Sequence, residues 1–161
     1  MNLFLFQMFM MYHFYIYIMA VPSTLSRFTE AQQTDFETAL AETKNGRKQG
    51  HWMWYTFPQI QGLGFSQTSM FYAIEDEAEA IAYLNHPVLG ERLITISKEL
   101  LKLPVNNANA IFGSPDDLKL RSCMTLFAAL PGTDPVFEAV LEKFFGGIGD
   151  KMTLKILGVV L

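Results

Sequence analysis

Leu89, Leu93, Ile96, Leu100 and Leu103 recur at spacings of four, three, four and three, with Glu91, Thr95, Lys98 and Lys102 on the other side. An α-helix turns by about 100° per residue, so this spacing draws a single apolar stripe that must face a core. Pro87 suits the first turn of such a helix, and Pro104 ends it. The same period runs through nearly all the chain from Ser26 onward. Thr34-Asp35-Phe36-Glu37 has the form of a capping box opening a helix whose Phe36, Ala39, Leu40 and Thr43 share a face, and Asn45-Gly46 closes it. Phe71 to Asn85 reads as a helix with Ile74, Ala78, Ile81 and Ala82 inward and Glu75, Asp76, Glu77 and Glu79 largely outward, broken at His86-Pro87.

Further on, Ser114-Pro115-Asp116-Asp117 places an N-cap residue, a first-turn proline and two carboxylates where a helix start wants them. Leu120, Cys123, Met124, Phe127 and Ala128 then form the buried face. Asp134-Pro135 opens another helix through Val136, Phe137, Val140, Leu141, Phe144 and Phe145, stopped by Gly146-Gly147, and a last piece runs from about Asp150 to Leu157. No alternating strand pattern exists outside the aromatic stretch His51 to Phe57, which by pattern alone is a short helix or a buried strand. The expected fold is therefore all-α: a compact, single-domain multi-helix bundle with short loops over residues 25–157, followed by a short tail at 158–161.

The first 26 residues hold no Lys, Arg, Asp or Glu, and Leu3 to Val21 is almost wholly apolar. No basic residue precedes the run, which argues against a signal peptide. A membrane anchor is allowed by length but lacks the flanking cations that set orientation. The favoured reading of residues 1–18 is an upstream extension with Met19-Ala20-Val21-Pro22 as the natural beginning, which makes the chain cytoplasmic; membrane tethering through residues 3–21 holds only if the extension is translated. Net charge is −4 and no basic cluster exceeds Arg47-Lys48, so a nucleic-acid partner is not expected. Cys123 stands alone, without a disulfide or a cysteine-based zinc site, and its apolar neighbours make it a small core residue rather than a nucleophile.

Candidate chemistry gathers at His51-Trp52-Met53-Trp54-Tyr55-Thr56-Phe57-Pro58-Gln59, which holds both tryptophans of the chain. Trp52 and Trp54 offer an aromatic wall, with His51 and Gln59 at its polar edges. Asp117, Arg121 and Thr125 lie four residues apart on one side of their helix, where an arginine bordering the core could clamp a carboxylate or phosphate. Gly62-Leu63-Gly64 would let a backbone approach a phosphate, but the strand and third glycine of a dinucleotide fingerprint are missing. His86, before Pro87, suits a capping role, and no spacing supports a metal; neither metal nor cofactor is expected.

Two segments, Gly46-Arg47-Lys48-Gln49-Gly50-His51-Trp52-Met53-Trp54-Tyr55-Thr56-Phe57-Pro58-Gln59 and Ile111-Phe112-Gly113-Ser114-Pro115-Asp116-Asp117-Leu118-Lys119-Leu120-Arg121-Ser122-Cys123-Met124-Thr125-Leu126-Phe127, carry a resemblance. So do Tyr83-Leu84-Asn85-His86-Pro87-Val88-Leu89-Gly90 and Phe144-Phe145-Gly146-Gly147, in the same order. Together they resemble the bacterial domain-of-unknown-function family 1810 over about Leu25 to Leu157. The resemblance implies a small, mainly helical, cytosolic domain with no established activity; the label calpastatin carried by some members finds no support in these residues. The expectation from the residues is a binding domain, catalytic or not, for a small polar ligand of nucleotide or ADP-ribose type, held by His51, Trp52, Trp54, Gln59, Asp117 and Arg121. The alternative is a non-catalytic interaction or scaffold domain in which those groups satisfy one another.

Overall fold

The computed structural model describes residues 25–159; the apolar extension, the alternative start at Met19 and the end of the tail lie outside them. Among the described residues the chain is helical, in order α1 Ser26–Lys44, α2 Met53–Thr56, α3 Gln67–Phe71, α4 Glu77–Asn85, α5 Leu89–Lys102, α6 Ala108–Phe112, α7 Asp116–Ala128, α8 Val136–Phe145 and α9 Lys151–Ile156. Among the described residues the one β-type pairing is a parallel bridge between Ile60 and Ile74, where the Gln61 N–H donates to Ile74 O and the Ile74 N–H to Gln59 O, both at 2.8 Å.

The α5 stripe does what its spacing requires. Leu89, Leu93, Ile96 and Leu100 are buried, and α5 packs against α1, α4 and α8. Each such side chain contributes roughly 1.5–3 kcal/mol by leaving water. Helix α7 is enclosed more completely: every residue from Ser122 to Phe127 is buried. Its two hydroxyls within that run, Ser122 Oγ and Thr125 Oγ1, donate back to Leu118 O and Arg121 O and so enter the core already satisfied. A file of rings, Phe28, Tyr83, Phe127 and Phe137, crosses from α1 through α4 and α7 to α8 with centroids 5.1–5.6 Å apart.

Four local readings change. Thr34 does not start a helix: α1 begins at Ser26 and runs through it, with Thr34 Oγ1 bonding back to Ala31 O inside the helix. Phe71 to Asn85 is not one helix, because α3 ends at Phe71 and Ile74 is drawn into the bridge with Ile60 before Asp76 caps α4. The faces of α4 are also reversed at the key position. Glu79, Ala80 and Tyr83 point inward while Ala78 and Ile81 are exposed. Glu79 is only 8% exposed because Arg27 grips both its oxygens at 2.9 Å and the Glu75 N–H donates to it as well. Finally, Ser114 caps nothing; Pro115 occupies the cap of α7, and Asp117 Oδ1 accepts from the Leu118 N–H.

The connections are not uniformly short. Residues 45–52 and 57–66 are extended loops, and they form the surroundings of the site.

Candidate functional site

Glu42, near the end of α1, organises the first loop. Its carboxylate accepts the Gln49 N–H at 2.7 Å, the Gly50 N–H at 2.9 Å and the Trp52 indole N–H at 2.8 Å. Partial burial by itself would raise its pKa, but these donors and the nearby Lys48 ammonium bring it below the ordinary glutamate value. A side chain at position 50 would meet Trp52 Cδ1 at 2.7 Å, so the loop can seat the indole only with glycine there. Lys48 N–H, donating to Ile111 O, ties the loop to α6.

Helix α2 is a single turn, and it separates the two tryptophans. Trp52 is 1% exposed, packed against the rings of Phe57 and Phe112. Trp54 is half-buried at the surface, with Lys119 Nζ 3.9 Å from its ring centroid. Lys119 and Lys48 both bond Asp116, each at 2.7 Å, so one carboxylate joins the loop of the first motif to the helix of the second. Burial pushes the Asp116 pKa up, and the two ammonium groups outweigh it and hold the carboxyl below its usual range.

Beside this junction lies a cleft of about 400 Å³. Trp54 and Gln59 line it together with Gly62 to Phe65 on one wall, Leu118, Lys119 and Ser122 of α7 on the other, and Asp150 and Met152 at the start of α9. A smaller recess behind Trp54 and Gln59 is lined by Ser69 and Tyr72. Phe65, on the rim, is 87% exposed.

Of the six residues singled out in the sequence, the cleft gathers Trp54 and Gln59. Trp52 belongs to the core, and His51 is exposed outside the cleft lining. Asp117 lies on another side of α7, where it accepts from Asn109 Nδ2 at 3.1 Å. Arg121 does not pair with it. Its guanidinium donates to Ile148 O at 2.8 Å and Gly149 O at 3.1 Å, while Thr125 Oγ1 accepts the Asp150 N–H at 2.8 Å. Arg121 thus holds the loop that presents Asp150 and Met152. Lys119, Ser122, Phe65 and Asp150 were missed from sequence. The signal for Lys119 was its i,i+3 relation to Asp116, which puts both on the same side of the helix. Cys123 is fully buried, and burial raises its thiol pKa well above the ordinary value. Among the described residues no group of three His, Cys, Asp or Glu side chains could hold a metal, and no helix is long and apolar enough to cross a membrane.

The model of a protein family of unknown function, DUF1810, matches residues 22–157. The chain belongs to that family. Its fold is also similar to the crystal structure of a conserved hypothetical protein from Mycobacterium tuberculosis, Rv1873, with a TM-score of 0.83 and 42% identity over 86% of this chain and 99% of that one. No curated protein matches. The two sequence motifs, residues 46–59 and 111–127, meet at the junction of Lys48, Asp116 and Lys119 beside the cleft.

Proposed function

We propose that the cleft between loop 57–66 and α7 binds a small polar ligand of nucleotide or ADP-ribose type. One observation carries the reading: a single hollow of about 400 Å³, within the range of small-molecule sites, presents an aromatic floor, an amide, an ammonium and a carboxylate to the same space. Gln59 offers a donor and an acceptor to a heterocycle edge. Asp150, whose Oδ2 already accepts from the Thr153 N–H and hydroxyl at 2.8 and 2.7 Å, suits a ribose hydroxyl better than a second anion. Phe65 supplies the exposed ring on which a base can stack. Thermal denaturation with nucleotides, NAD and ADP-ribose tests this: a ligand at 100 times its dissociation constant adds about 2.7 kcal/mol, and a panel in which no midpoint rises sinks the proposal.

A second reading, a non-catalytic interaction or scaffold domain, is favoured by the rim. Phe65, Leu118 and Met152 are 87%, 54% and 51% exposed around one hollow, an apolar patch of the kind that meets partners. A silent ligand panel, together with Leu118→Asp and Met152→Asp variants that gain solubility at an unchanged midpoint, would favour it over the first.

A further inference from the structure

Both walls of the cleft carry hydrogen-bond donors that the chain itself leaves only partly used. From Gly62 to Phe65 no backbone N–H has an acceptor among the described residues, although the neighbouring Gln61 and Ser69 N–H groups are taken by Ile74 O and Ser66 Oγ. The loop's path is fixed by packing. Gly62 adopts φ +101°, open to glycine, and a side chain at position 64 would meet Ser69 Cβ at 2.7 Å. Across the cleft, Lys119 is 17% exposed and has one hydrogen-bond acceptor, Asp116 Oδ1. Asp116 is shared with Lys48, so Lys119 does not have this carboxylate to itself. Glu42, the carboxylate beside Lys48, accepts from the loop amides and the Trp52 indole.

We propose that Lys119 and the backbone of residues 62–65 form an anion subsite that takes the phosphate of the ligand, so that the cleft selects phosphorylated small molecules over nucleosides or sugars. The inference rests on the reading of the cleft as a ligand site and narrows it. A phosphate presents oxygens in several directions and can bridge an ammonium on one wall and amides on the other; successive backbone N–H groups and a lysine are a recurrent pairing for this charge. Asp150, lining the same cleft, disfavours the reverse orientation.

Tryptophan fluorescence, with Lys119 lying over the Trp54 ring as the built-in reporter, can follow binding of AMP, ADP-ribose, inorganic pyrophosphate and adenosine. The expected result is that AMP and ADP-ribose bind at least about tenfold more tightly than adenosine, the preference shrinking between low and high salt as an exposed charge contact is screened. Lys119→Gln should bring AMP to the adenosine level without changing adenosine, and Lys119→Arg should restore most of the difference. Adenosine and AMP binding equally at every salt concentration overturns the anion subsite and leaves the cleft reading standing. No binding by any of the four probes overturns both. The salt series uses the unaltered protein, so the answer does not depend on the variants folding.

Discussion

Glu42 and Trp52 show how one side chain can hold a site it never touches. The carboxylate collects two loop amides and an indole N–H, and hydrogen bonds to a charged acceptor contribute about 1.5–3 kcal/mol each when a partner would be stranded. Glu42→Ala should cost about 2 kcal/mol, after discounting for its partial exposure, in urea denaturation, and should red-shift Trp52 emission as the indole loses its seat. His86 bears a pH prediction. Its Nδ1 accepts the Val88 and Leu89 N–H groups at 3.2 and 3.3 Å, the capping role its place before Pro87 suggested. Partial burial lowers its pKa from 6.5, so the folded state binds this proton less readily than the unfolded state. Its contribution to stability is full above pH 6.5 and is lost as pH falls from there through the lowered folded value. Melting curves from pH 8 to 5 should show that loss, and His86→Asn, which keeps a capping acceptor without titrating, should flatten it. At this scale residue type was readable and orientation was not. Trp52 and Trp54 look alike in the sequence, but residues two apart on a helical turn point to nearly opposite sides.

The helices were readable where their stripe was clean. The α5 stripe came through intact because alternate burial and exposure leave one rotation possible. In α7 that signal fails: a helix buried on nearly every side has no polar face to mark its rotation. Spacing alone therefore points Asp117 and Arg121 toward the ligand, whereas Leu118, Lys119 and Ser122 line the cleft. For α4 the rule that carboxylates face water broke at Glu79, since a bidentate arginine makes burial tolerable. Breaking a buried pair by removing one partner costs about 3–5 kcal/mol because the other charge is left stranded. Arg27→Ala should approach that loss in chemical denaturation, at its lower end given the residual exposure of the guanidinium, and Glu79→Gln combined with it should recover part.

For the whole molecule, Cys123 provides a probe. It is fully buried beside Met124 on the central helix, so a thiol reagent can reach it only when α7 leaves the core. Labelling of the native protein should be slow and should track the global unfolding equilibrium; rapid labelling in the absence of denaturant would contradict the packing described here. The sequence by itself determined the all-α class, most helix positions and the family, because helical periodicity, caps and breakers are local signals written in neighbouring residues. It also marked Trp54 and Gln59 as informative. Only the tertiary structure decided that Trp52 is core, that Arg121 holds a loop, and that Lys119, Phe65 and Asp150 stand around a shared cleft. Those facts depend on the rotation of α7 and on what loop 57–66 and the start of α9 bring beside it, and contacts between residues far apart in the chain leave no periodic trace in it.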